Sequence, residues 1–236
     1  MLFQNSVWAQ WLIDAMTDPV YGYARGINLF LWVGAITIMY ITGIVFFVRA
    51  AKKDLPPSQV WLNRSFGLLF FLMGVTRIVF ILGYIIEAYY NFLLALGYAV
   101  ASLSLLPIVA TFEKWATPQT KRFFTIVAII ICVIAFYFVF TPAQSALSRT
   151  IQDIGMPVVA AEFAILYIWI IKNSTGNVRK KAISTFLGAL VFVVGILLDS
   201  ESIIEEWILI SPFLIDIAPI VFAIGVIIMG VSQKLE

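Results

Sequence analysis

The chain has 236 residues, 62% hydrophobic and only 12% charged, with a mean hydropathy of +1.02, which excludes a water-soluble globular domain. Its formal net charge is +2, it has no histidine, and its one cysteine is Cys132. These counts exclude a zinc hydrolase site, bis-histidine haem ligation, a Ser-His-Asp triad and an intrachain disulfide, and with no Gly-rich phosphate loop an enzyme is not expected.

Residues 1–26 read as an extracellular segment. The first charge is Asp14 and the first basic residue Arg25, so no basic n-region precedes an apolar run, and Met1 is expected to be the mature start. Within 6–16, Trp8, Trp11, Leu12, Ala15 and Met16 recur at helical spacing. That pattern predicts a short amphipathic helix on the outer leaflet, held by its tryptophans, with a ligand lid as the other reading.

A bilayer span takes about 20 apolar residues to cross roughly 30 Å of hydrocarbon. Apolar runs between charge and turn clusters predict spans near 27–49, 60–86, 88–112, 121–140, 151–171, 182–207 and 209–232. The expected fold is therefore all-α, a polytopic membrane protein with a seven-transmembrane-helix bundle over 27–232 and a tail at 233–236. Hardly any loop separates the apolar runs at Glu87 to Asn91 and at Ser200 to Pro212, so those hairpins must be tight.

Twelve of the fifteen basic residues fall in 50–59, 113–120, 172–181, 233–236 or the helix ends beside them. The positive-inside rule puts these segments in the cytoplasm, and an odd number of spans then leaves the N-terminus outside and the C-terminus inside. Of the thirteen acidic residues only Asp54, Glu113 and Glu236 lie on the basic side. The acidic outer half suggests a site for cationic or hydrogen-bond-donating groups, or simply a hydrated surface.

The second and sixth spans share G-x-L-x-F-x-x-G, as Gly67 to Gly74 and as Gly188 to Gly195. A parallel 3+1+3 repeat of helices one to three onto five to seven, with the fourth as linker, fits this polarity. Glycines recurring wherever helices pack closely fit it as well.

In the seventh span, Leu214-Ile215-Asp216-Ile217-Ala218-Pro219-Ile220 resembles the stretch of microbial rhodopsins in which an aspartate precedes the retinal-binding lysine by four residues. The seven-helix architecture resembles that family too. Ile220 stands where the lysine would be, and all eight lysines lie in loops or at helix ends, so a retinal Schiff base is excluded and no cofactor is expected.

Charges in hydrocarbon are costly and face a bundle interior or an aqueous cavity, so Arg77, Glu162, Asp199 and Asp216 are the candidate site residues. Arg77 lies ~20 Å above Arg64, Glu162 ~14 Å below Asp153 and Asp216 ~10 Å below the outer end of its helix. Arg77 should pair with one of the three carboxylates, and the remaining acids should be protonated or hold a cation. The set is either a structural ion pair or a ligand pocket open to the outside. Pro107, Pro157, Pro212 and Pro219 are expected to kink helices near it, each freeing a carbonyl that can line a cavity.

Three functions fit these residues: a receptor or sensor that binds a ligand outside and signals to a cytoplasmic partner at the basic inner loops; a small cation-coupled or solute transporter; and a non-catalytic subunit of a membrane complex. The inner halves of the spans carry no deep charge, which argues against a continuous polar pathway. The expected partners are the lipid bilayer, that cytoplasmic protein and further copies of the chain, with no nucleic acid and no metal.

Overall fold

The computed structural model describes residues 22–141, 161–199 and 216–232. Seven helical segments occur among them: α1 Gly22–Ala50, α2 Pro57–Ile85, α3 Tyr90–Trp115, α4 Phe123–Val139, α5 over 161–173, α6 Gly176–Leu198 and α7 Ile217–Ser232. Four stretches are long and apolar enough to cross a bilayer: Asn28–Ala50, Pro57–Gly83, Tyr90–Trp115 and Gly176–Leu198. Large apolar side chains lie exposed on every helix, among them Ile44, Phe71, Phe92, Val133, Trp169, Leu187 and Ile224. An apolar exterior around an apolar interior is what lipid as solvent requires, and the chain is a helical membrane protein.

The helix ends follow local chemistry. Pro57 opens α2 at a position whose N–H would have no helical partner. Arg49 and Lys114 sit in the last turns of α1 and α3, where the helix dipole favours a cation. The α2–α3 hairpin is closed by a single 3-10 turn, Glu87–Tyr89. The α3–α4 connection turns through Lys121 and Arg122, both left-handed, at φ 50° and 70°.

Several expected boundaries shift. α1 is helical from Gly22, and its bilayer-spanning stretch Asn28–Ala50 lies where a span near 27–49 is expected. α6 begins at Gly176 rather than 182, because Arg179, Lys180 and Lys181 wind into its first turns, and it ends at Leu198 rather than 207, with Asp199 as its C-cap. α7 begins at Ile217. The amphipathic stretch at 6–16, the Ser200 to Pro212 hairpin, Pro157, Pro212 and the 233–236 tail lie outside the described residues.

Neighbouring helices alternate in direction. Gly43 meets Gly67 and Tyr40 meets Gly74, so α1 and α2 are antiparallel; Gly188 meets Met229 and Gly195 meets Phe222, so α6 and α7 are antiparallel too. Trp32 packs on Phe222 while Gly230 meets Thr42, so α1 and α7 run the same way. The α1–α2, α3–α4 and α5–α6 connections, and with them Lys52, Lys53, Lys121, Arg122 and Lys172, therefore lie at one end of the bundle, the basic end. Arg77, Asp199 and Asp216 lie toward the opposite, acidic end.

α2 is the central helix, packed on α1 and α3. Its buried Phe66 and Phe70 stand in a continuous run of rings: Trp32 to Phe222 at 5.6 Å, Phe222 to Phe192 at 4.4 Å, Phe192 to Phe70 at 6.3 Å, Phe70 to Phe66 at 6.4 Å and Phe66 to Phe163 at 6.4 Å. The run continues to Phe112 and Tyr167 and so joins six helices and both ends of the bundle.

Candidate functional site

Arg77 lies in α2, three residues after Gly74, and is only 5% exposed. Its guanidinium forms an ion pair with the Asp199 carboxylate at the C-terminal cap of α6. Three rings enclose the same cation: Trp32 of α1 with its centroid at 4.4 Å, Phe222 of α7 at 5.1 Å and Phe80 of α2 at 5.7 Å. A desolvated guanidinium held against ring faces gains about 2 kcal/mol or more from each favourable contact, which offsets part of the cost of removing it from water. One cation thus touches α1, α2, α6 and α7.

Asp216 stands one residue before α7, is 8% exposed, and accepts a hydrogen bond from Asn28 of α1. Its Oδ1 has no hydrogen-bond partner among the described residues. The Asp199 side chain is 19% exposed, so the ion pair is reachable at its carboxylate side. Asn28 lies four residues before Trp32 on α1 and Asp216 six before Phe222 on α7, so their hydrogen bond lies on the acidic side of the Arg77–Asp199 pair. Among the described residues no three acidic or thiol side chains converge as a metal site.

Glu162 is not at this site. The structure places it at the C-terminal end of α3, where the Thr117 hydroxyl donates to its Oε1 at 3.0 Å. Two features bring it there. α3 runs three residues past its expected end to Trp115, and Ala116 and Thr117 fold back to bond the Phe112 carbonyl at 2.8 and 3.0 Å, which turns the Thr117 side chain toward α5. Glu162 is 2% exposed and its Oε2 has no partner among the described residues.

Glu113, one of the few acidic residues on the basic side, is 1% exposed. Its oxygens accept from Phe124 N at 3.0 Å, Thr125 N at 2.7 Å and the Thr120 hydroxyl at 2.6 Å. It satisfies N–H groups that the first turn of α4 leaves open, and its charge complements that helix terminus.

Pro107 differs from expectation as well. It lies inside α3, but beside Ser65 and Thr111 near the basic end and not near Arg77. Pro219 is the third residue of α7 as described. Sequence reasoning missed Trp32, Phe222 and Asn28. The readable signal was Trp32, an indole placed inside an apolar span rather than at its edge.

Two hydroxyl pairs of the basic half bond each other: Ser65 with Thr111 at 2.7 Å, and Thr185 with Ser232 at 2.8 Å. No protein-family model, curated protein or solved structure matches the chain.

Proposed function

We propose that the chain is a non-catalytic seven-span receptor or sensor of the cell membrane, with its N-terminus and acidic end outside and its basic loops in the cytoplasm. It binds a ligand carrying a cation or hydrogen-bond donors at Asp199 and Asp216. The observation that carries this reading is the Arg77 site, in which one buried cation ties four helices together through Asp199 and three rings, with the open carboxylate oxygen of Asp216 toward the same end. A ligand group that engages Asp199 weakens its hold on Arg77, and the rings around that arginine continue as packed rings to Phe163 and Phe112 at the basic end. A shift there would reach the cytoplasmic loops, where the exposed Arg179 and Lys180 suit an acidic partner.

The transporter reading draws on Glu162, a second buried carboxylate with an open oxygen at the other end of the bundle. Among the described residues no buried charge lies between the Arg77 site and Glu162, and that favours the receptor over a polar pathway.

One-sided access separates the two. With Cys132 replaced by alanine, cysteines at Asn28 and Asp216 in reconstituted vesicles should react with a charged thiol reagent from the N-terminal side only. A cysteine at the buried Thr185 should react with the same reagent from neither side. Reaction at Asn28 or Asp216 from both sides would establish alternating access and displace the receptor reading.

A further inference from the structure

At the basic end, α2 and α3 part to leave a groove of about 260 Å³ rimmed by Trp61, Arg64, Lys114, Trp115 and Arg122. The three cations are exposed, and none forms an ion pair with a carboxylate of the described residues. Glu113, next to Lys114 in sequence, is turned away and committed to the N-terminus of α4. Three like charges around one concavity repel one another, and an anion between them removes that repulsion.

The cations are also positioned. Lys114 Nζ lies 5.0 Å from the Trp115 ring centre and 5.8 Å from that of Trp61, and the Arg64 guanidinium lies 5.6 Å from Trp61. Arg122 leaves the α3–α4 turn from a left-handed residue and donates to the Ala110 carbonyl at 3.3 Å, which draws it to the groove. Ser65 and Thr111 close the floor. Ser65 donates to the Pro107 carbonyl at 3.0 Å and Thr111 to Ser65, so both hydroxyl protons are committed and the rim cations are the donors left for an anion.

The walls indicate what kind of anion. Trp61 and Trp115 are 47% and 44% exposed, and Leu68, two turns further along α2, is 38% exposed. Indoles prefer the headgroup level of a bilayer, with apolar side chains beyond them meeting acyl chains. We propose that this groove holds the phosphate of an anionic lipid headgroup in the leaflet at the basic end, with the acyl chains lying along the Leu68 side. The site is independent of the Arg77 site and of any ligand bound there.

Native mass spectrometry of the full chain, released from mixed micelles of phosphatidylglycerol and phosphatidylcholine in equal parts, tests this. The unaltered protein should retain phosphatidylglycerol in several-fold preference. Combined Arg64→Gln, Lys114→Gln and Arg122→Gln should abolish the preference, whereas Lys172→Gln, Arg179→Gln and Lys180→Gln, an equal loss of exposed charge elsewhere at the same end, should leave it intact. If the first combination does not fold, Arg64→Gln and Lys114→Gln singly should each reduce the preference. Equal retention of the two lipids, or equal losses in both variant sets, would overturn the proposal. Displacement of the lipid by excess inorganic phosphate would also overturn it, in favour of a site for free phosphate.

Discussion

Replacing Arg77 by alanine is expected to lower the unfolding free energy of the detergent-solubilised protein by about 3 kcal/mol, the lower end of the range for removing one partner of a buried ion pair. The lower end applies because the Asp199 side chain keeps 19% of its exposure and can be partly rehydrated. Asp199 loses its cation, while Trp32, Phe222 and Phe80 lose the guanidinium that fills the space between them. Arg77→Lys should recover only part of the loss, since an ammonium keeps the charge but not the flat surface that lies against rings. Unfolding in SDS followed by tryptophan fluorescence measures all three proteins.

The second large effect is expected at the α6–α7 contact. A Cβ added at Gly225 would lie 2.5 Å from the Phe192 nitrogen, 2.7 Å from its Cα and 2.9 Å from the Gly188 carbonyl oxygen. These are backbone atoms and cannot rotate aside, so Gly225→Ala must push the helices apart, at a cost of about 1–3 kcal/mol. Gly34→Ala is the control, because a Cβ there meets nothing within 4 Å. In a helix interior that change should be neutral or stabilising by up to about 1 kcal/mol. Equal losses at the two positions would show that α6 and α7 do not pack at this distance.

The same contacts bear on the glycine pattern shared by α2 and α6. In α6, Gly188 and Gly195 admit the backbone of α7. In α2, Gly67 and Gly74 admit the rings of Phe47 and Tyr40 from α1. The spacing is alike and the use differs, as expected of small residues chosen separately for each neighbour.

All seven apolar segments expected from the sequence overlap helices among the described residues, because the hydropathy that marks a span is a local property. The need of Arg77 for a carboxylate was legible for a similar reason, since the cost of a lone charge in hydrocarbon does not depend on the fold. Which carboxylate it takes was not legible. In a membrane bundle the lipid-facing and core-facing sides of a helix are both apolar, so the periodicity that sets helix rotation in water-soluble proteins is faint. Nothing in the sequence around Glu162 says that it meets Thr117 rather than Arg77, or that Glu113 turns inward to the start of α4. Trp32 and Phe222 were hidden likewise, two rings among many until the helices that carry them are brought to face Arg77.

The central claim is that Arg77 and Asp199 join α2 to α6 at the acidic end. A double-mutant cycle on the two residues tests it most directly, with Arg77→Ala, Asp199→Ala and the double variant unfolded in the same detergent. The predicted coupling is about 1–3 kcal/mol, with the double variant more stable than the sum of the two single losses allows. Losses that add within about 0.5 kcal/mol would mean that the residues do not interact, and the site built around them would be contradicted.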